Sequence, residues 1–335
     1  MDSISQAVLG AGVAEVAVGK KIGNKAILVG IALGTVPDLD VFFTHGMEVA
    51  DGLLAHRGIS HSILFNLLLS PLIGFVLKKI FHKYDISFLK WTISAWLVLM
   101  THVLLDCFTN YGTGILEPFS HKRIEWGTIA IVDVFYTIPF LIIMAVLMFF
   151  KRHSKLRIYL GRIAVSVSTL YLLSTTVTKM HINSVFKKQL VSQEITYERY
   201  KTVPLPLTNF LWMCVAETDS SFYTGYYSVF DKKKDIGFFK TNKNHDLADL
   251  NSRQAKKLIR FSKNWYALES KENKIVFNDV RFGRLGFSGQ DPFLFSYELK
   301  HGKKGLSIKE YNQTYQGEGA FNSFIKRIFG ISESK

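Results

Sequence analysis

The sequence predicts a membrane α-helical bundle of about six apolar segments, the first two short, followed by a β-rich α+β soluble domain. Three observations predict it. Although 48% of the 335 residues are hydrophobic, the long apolar runs are gathered before about residue 180. Lys and Arg collect in short loops between those runs, where they set membrane orientation. Beyond about residue 180 the chain becomes mixed, charged and aromatic, with short β-favouring stretches divided by Gly, Asn and Asp. The expected division is a polytopic membrane domain over 1–180, carrying the chemistry, and an extramembrane β-rich domain over 181–335.

The formal charge of +14 is accounted for by those loops, so the sequence is read as having no nucleic-acid partner. Two cysteines, Cys107 and Cys214, indicate neither a disulfide framework nor a Cys-based zinc site. The start, Met1-Asp-Ser-Ile-Ser, lacks the basic region of a cleavable signal, and the first apolar segment is expected to stay.

In chain order, residues 4–18 are apolar and rich in small residues, with Gly10, Gly12 and Ala14 allowing close helix contact. A second short segment, Ala26 to Val36, ends at Pro37. Because proline disfavours the α region in the residue before it, the helix is expected to stop near Val36 and release Asp38-Leu-Asp40 into irregular backbone. Ser62 to Leu77, 89–105, Ile129 to Phe150 (the strongest) and 158–178 complete the spans. With the basic loops at 20–25, 78–83 and 151–157 all cytoplasmic, the site and the C-terminal domain fall on the exoplasmic side. In the second domain, strands are expected around 222–230, 274–277 and 293–299, with helices over 246–263 and 319–330.

Chemistry concentrates in three places. His102 and Asp106, four apart, share a helix face and could bind one ion; the same pair would also serve as a packing hydrogen bond. His56 and His61, five apart, lie about 140° from each other on a straight helix, so joint coordination requires a bend at Gly58. Asp38 and Asp40 follow Pro37, where Asp is also a common turn residue. If the three converge, Asp38, Asp40, His56, His61, His102 and Asp106 form a mixed N/O set suited to Zn or Mn, as one or two divalent ions. Arg57 and Arg123 would then hold an anionic group, although arginines at a bilayer border also meet lipid phosphates. The Gly- and Pro-containing stretch Phe108 to Ser120, with Asn110 and Tyr111 as substrate contacts, is placed to wall the site. Asp133 and Ser60 are the candidates for orienting a liganding imidazole from behind.

Met1-Asp-Ser-Ile-Ser-Gln-Ala-Val-Leu-Gly10, Gly34-Thr-Val-Pro-Asp-Leu-Asp40, His56-Arg-Gly-Ile-Ser-His-Ser62, Thr101-His-Val-Leu-Leu-Asp106 and Thr109-Asn-Tyr-Gly-Thr113 with Pro118-Phe-Ser120, taken in order, resemble the YdjM-like family of bacterial inner-membrane, metal-dependent hydrolases. The match covers roughly residues 1 to 140, and the later part looks like that of longer members with a C-terminal domain. The resemblance implies an inner-membrane location and joint action of His56, His61, His102 and Asp106. Two positions depart from the pattern: Gln6 stands where many relatives have His, and Val134 where proline usually follows the aspartate.

The expected function is hydrolysis of an ester or phosphoester of a lipid or membrane-associated molecule by metal-activated water. His56, His61, His102, Asp106 and Arg57 are the candidate catalytic residues, and the lipid bilayer is the immediate partner. Two other classes use the same residues. A metal carrier or channel would need polar groups continuing through the spans, and 62–77 and 139–150 are nearly without ionisable groups. A metal-pinned adaptor would place its function in the β-rich domain.

Overall fold

The computed structural model describes residues 1–302, 305–313 and 320–331. It divides into two compact units, Met1–Phe43 with Ala55–Thr176, and Thr44–Leu54 with Val177–Lys335. The eleven residues from Thr44 to Leu54 thus group with the C-terminal unit, a piece that the expected division at 180 did not separate out.

The first unit is helical. α1 (Ser3–Ala14) starts where the Asp2 carboxylate accepts from the Ser5 N–H, and a π-helical turn over Glu15–Gly19 and α2 (Lys20–Ile22) continue it. α3 (Lys25–Thr35) packs on α1 through glycines, as the small-residue pattern anticipates. A Cβ at Gly10 would stand 2.9 Å from the Gly34 Cα, and one at Gly34 would stand 2.7 Å from the Gln6 carbonyl oxygen. Glu15 and Arg157 form a buried, doubly hydrogen-bonded pair at 2.7 and 2.8 Å.

The stop at Pro37 differs from expectation. α3 does end at Thr35, but Val36 keeps α-helical angles (φ −56°, ψ −46°), Pro37–Leu39 form a 3-10 turn, and α4 (Asp40–Thr44) follows. The proline costs one ladder bond and produces a bend of 43° rather than a loop. α5 (Val49–Ala55) leads into a 3-10 turn over Ile59–His61.

Among the described residues three helices are long and apolar enough to cross a bilayer: α6 (Ile63–Ile80), α7 (Phe88–Phe108) and α9 (Lys155–Ser192). The bent pair Lys25–Thr35 with Pro37–Thr44 passes the same test when taken together, as a broken span or a re-entrant loop. Ser62 and Ser87 cap α6 and α7 by accepting from Phe65 and Lys90 N–H groups. Ile129 to Phe150, expected to be the strongest span, is reduced to α8 (Val134–Leu147), 14 residues long. The physical cause is Asp133, whose carboxylate accepts from the Phe135 and Tyr136 N–H groups and fixes the helix start there. At 1.5 Å per residue, such a helix reaches about 21 Å, short of a bilayer core of about 30 Å.

The second unit contains two four-stranded antiparallel sheets, each a meander: β1 (Arg199–Pro204), β2 (Leu211–Glu217), β3 (Ser221–Ser228) and β4 (Phe238–Asn242), then β5 (Tyr266–Lys271), β6 (Lys274–Asp279), β7 (Ser296–Gly302) and β8 (Gly305–Glu310). β2 is buried along its whole length because both faces are covered. Its Leu211, Met213 and Val215 enter one core with Phe222, Trp265 and Phe293, while Trp212, Cys214 and Ala216 pack with Ile182, Phe186 and Leu190 at the end of α9. The helix expected over 246–263 is shortened to α10 (Arg253–Ser262), because Ser252 accepts from the Ala255 N–H and starts it there. The tail helix is α11 (Ala320–Ile328); position 319 of the expected span lies outside the described residues.

Candidate metal centre

The His56-Arg-Gly-Ile-Ser-His61 stretch bends, but not mainly where expected. Arg57 takes the left-handed conformation (φ +57°), which is strained for a side-chain-bearing residue, while Gly58 has φ −84° with ψ −122°. The turn is tied down on both sides. The Arg57 N–H donates to Asp40 Oδ2 at 2.9 Å, and its carbonyl accepts from the Gly114 N–H at 2.8 Å. The bend swings His61 inward, where it is fully buried, and leaves His56 partly exposed.

Four of the predicted ligands then meet. One ligand atom from each of Asp38, His61, His102 and Asp106 lies within 4.8 Å of the others. The two imidazole Nε2 atoms are 3.2 Å apart. His61 Nε2 is 3.3 Å from both Asp38 Oδ1 and Asp106 Oδ2, and His102 Nε2 is 3.5 and 3.7 Å from the same oxygens. Each imidazole is held from behind. His102 Nδ1 lies 2.6 Å from the Gly34 carbonyl oxygen, so Nδ1 carries the proton and Nε2 presents a lone pair. His61 Nδ1 is 2.9 Å from Ser60 Oγ and 3.5 Å from Asp40 Oδ2, and Ser60 Oγ donates to that same carboxylate oxygen at 2.6 Å. Asp38 Oδ1 and Asp106 Oδ2, both buried, accept no hydrogen bond among the described residues. Two imidazole nitrogens and two carboxylate oxygens facing one another, with Arg57 beside Asp106, make the mixed N/O donor set that a divalent ion takes, which is the chemical case for a metal ion here.

The other predicted residues form the surround. His56 Nδ1 is 2.7 Å from Asp40 Oδ1, so this pair lies beside the four rather than among them. Arg57 is buried, with Nε 3.2 Å from Asp106 Oδ2, Nη1 donating to Thr109 Oγ1 at 3.1 Å, and its guanidinium 4.9 Å from the centre of the Tyr111 ring. Tyr111 also meets the His56 ring edge-on. Arg123 Nη2 donates to the His56 carbonyl at 2.6 Å, which braces the turn. Asn110 is buried at the end of α7, and the loop that follows lies on Arg57 and on the first residue of α6 through Gly114 and Ile115. Asp133 stands elsewhere: its carboxylate caps α8 and accepts from the Tyr171 hydroxyl at 2.9 and 3.0 Å, and touches no imidazole. Val134 therefore occupies the first helical position, where proline is also well suited.

Gln6, noted in the sequence as a departure, belongs to the centre. Its side-chain amide donates to Asp106 Oδ1 at 3.0 Å and to the His102 carbonyl at 3.3 Å, and the Met1 amino group contacts the same Oδ1. This leaves Oδ2 directed at the two imidazoles. The Gly34 carbonyl and Thr109 are further contributors that residue type alone does not reveal. For Gly34 the available signal is its place at the head of the Gly34-to-Asp40 motif.

Comparison with known proteins identifies the family. The chain is 36% identical over 92 residues to the uncharacterized protein YfhP of Bacillus subtilis (strain 168), covering 27% of each chain. It is 30% identical over 133 residues to the inner membrane protein YbcI of Escherichia coli (strain K12), covering 36% of this chain and 72% of that one. The match thus spans about a quarter of YfhP (27%), and no solved structure matches. The model of the YdjM inner membrane protein family matches residues 1–182, which contain the helical unit and all four converging ligands, and the chain belongs to that family.

Proposed function

We propose that this protein is a membrane-bound hydrolase in which Asp38, His61, His102 and Asp106 hold a divalent ion, Zn or Mn, and act on an ester or phosphoester of a lipid or membrane-associated molecule. The observation that carries the reading is the convergence of two Nε2 atoms and two buried carboxylate oxygens within 4.8 Å. When bound, a divalent ion would supply Lewis acidity and a water acidified enough to attack near neutral pH. The chain's own residues do the positioning. Gly34 and Ser60 fix the imidazole tautomers, and Gln6 turns Asp106 toward the centre.

Arg57 lies beside the carboxylates with its charge fixed, and would receive an anionic substrate group and the negative charge that develops on reaction. Asp38 is the one member of the four with side-chain exposure, 21%, so substrate would approach from its side. The Asp40 and His56 pair next to it offers donors for a second ion. An exoplasmic position for the site and for the C-terminal unit follows from placing the basic loops at 20–25, 78–83 and 151–157 in the cytoplasm, and it requires the stretch 129–150 to cross although α8 itself is shorter than a bilayer core.

The test is metal analysis of the purified protein together with a metal-dependent screen over phospholipids, lipid phosphates and esters, with His102→Ala as control. Stoichiometric metal and hydrolysis, both lost in the variant, are expected. A protein without bound metal whose cellular function survives His102→Ala overturns the proposal. A reporter fused after residue 200 is expected on the exoplasmic side, and cytoplasmic activity would refute that orientation.

A further inference from the structure

The C-terminal unit carries a lobe where exposed large apolar side chains adjoin, in the chain, a run of exposed lysines. The Phe230 and Phe329 rings stack with centres 6.0 Å apart, yet the two residues remain 47% and 58% exposed, and Ile331 is 57% exposed. The lobe is held together firmly. Arg327 donates to both carboxylate oxygens of Asp231 at 2.6 and 2.8 Å, and the Gly330 backbone passes so close to the Phe230 carbonyl that a Cβ there would stand 2.7 Å away. Ser228 Oγ donates to the Ile328 carbonyl. The loop after β3 and the end of α11 therefore present one fixed surface. Next to it in the chain are the exposed Lys232, Lys233, Lys234 and Lys326, against one exposed carboxylate, Asp235, while the charge of Asp231 is taken up by Arg327.

We infer that Phe230, Phe329 and Ile331 with Lys232, Lys233 and Lys234 form a docking surface for a bilayer with anionic headgroups. Aromatic and aliphatic side chains gain by entering the headgroup boundary, and lysines beside them gain from its negative potential. The chain also delivers this unit to a membrane. On α9, Lys179 is the first charge beyond the apolar run, and Ile182, three residues on, is already buried in the core formed with β2. α9 (Lys155–Ser192), one of the helices long and apolar enough to cross a bilayer, runs on into this unit and so tethers it at a membrane. The inference is independent of the metal centre.

The test uses the full chain in nanodiscs of phosphatidylcholine, with or without phosphatidylglycerol, carrying an environment-sensitive fluorophore on Ile331→Cys. Cys107 and Cys214 are buried and do not compete for label. Blue-shifted emission and quenching by doxyl-labelled lipid are expected in the phosphatidylglycerol discs. Both should fall to the phosphatidylcholine level when Lys232, Lys233 and Lys234 are changed together to Gln, and quenching should drop again with Phe230→Ser and Phe329→Ser. Emission that is identical in both discs, quenching indifferent to the lysines, or a response seen only on adding RNA or an acidic soluble protein would overturn it.

Discussion

Deleting the His102 imidazole separates metal binding from packing, because the ring is engaged at both nitrogens. With all four ligands present, an ion at a hundredfold excess over its Kd stabilises the folded protein by about 2.7 kcal/mol. For a unit of this size a change of 1 kcal/mol moves Tm by roughly 2–4 °C, so the metal-induced shift in the unaltered protein should be about 5–11 °C. His102→Ala acts twice. It leaves the buried Gly34 carbonyl without its donor at 2.6 Å, which costs about 1–3 kcal/mol whether or not metal is present. It also removes the Nε2 that lies 3.2 Å from its counterpart on His61, so the metal-induced shift should fall below about 2 °C. The assay is thermal unfolding in detergent, with chelator and then with Zn, Mn, Fe or Co. The decisive quantity is the difference between the two scans, since the baseline alone reports packing. An equal metal-induced shift in His102→Ala and the unaltered protein, or no shift with any of the four ions, refutes the argument.

Other perturbations follow from the same contacts. Ser60→Ala removes the hydroxyl at 2.9 Å from His61 Nδ1 and should weaken metal affinity by about 10–100-fold while leaving the helical content unchanged, read by metal titration. Gly34→Val forces a branched side chain against the Gln6 backbone and should destabilise the helical unit by about 1–3 kcal/mol, with loss of bound metal, because the His102 acceptor shifts with it. In the C-terminal unit, burial raises the Glu217 carboxyl pKa, but the hydrogen bonds from Arg199 and Lys243 outweigh it and hold the pKa below its usual 4.5. Stability from this group is therefore present above pH 4.5 and lost as pH falls through the lower folded value. Glu217→Gln should flatten the fall in unfolding temperature between neutral pH and acid, measured by thermal scans at a series of pH values.

The sequence determined the two-part character of the chain, because hydropathy and charge are properties of segments and need no tertiary partner. Apolar runs before about residue 180, and short β-favouring stretches after it, report burial in lipid and in a sheet core directly. Helix spacing was sufficient to put His102 and Asp106 on one face, and the motifs in order were sufficient to indicate the family. Local rules were weaker where one side chain competes with the pattern. The Asp133 cap shortened the span expected over Ile129 to Phe150, and the αR conformation of Val36 kept the chain helical across Pro37.

Only the tertiary structure decided which donors meet. Six side chains were eligible by type, and four converge, because the left-handed turn at Arg57 sends His61 inward and leaves His56 on Asp40. Convergence depends on distances between elements far apart in the chain, such as the glycine contact between α1 and α3 that brings Gly34 to His102 and Gln6 to Asp106. Hydropathy and periodicity describe one segment at a time, so a site assembled from four segments lies beyond them until those segments are packed.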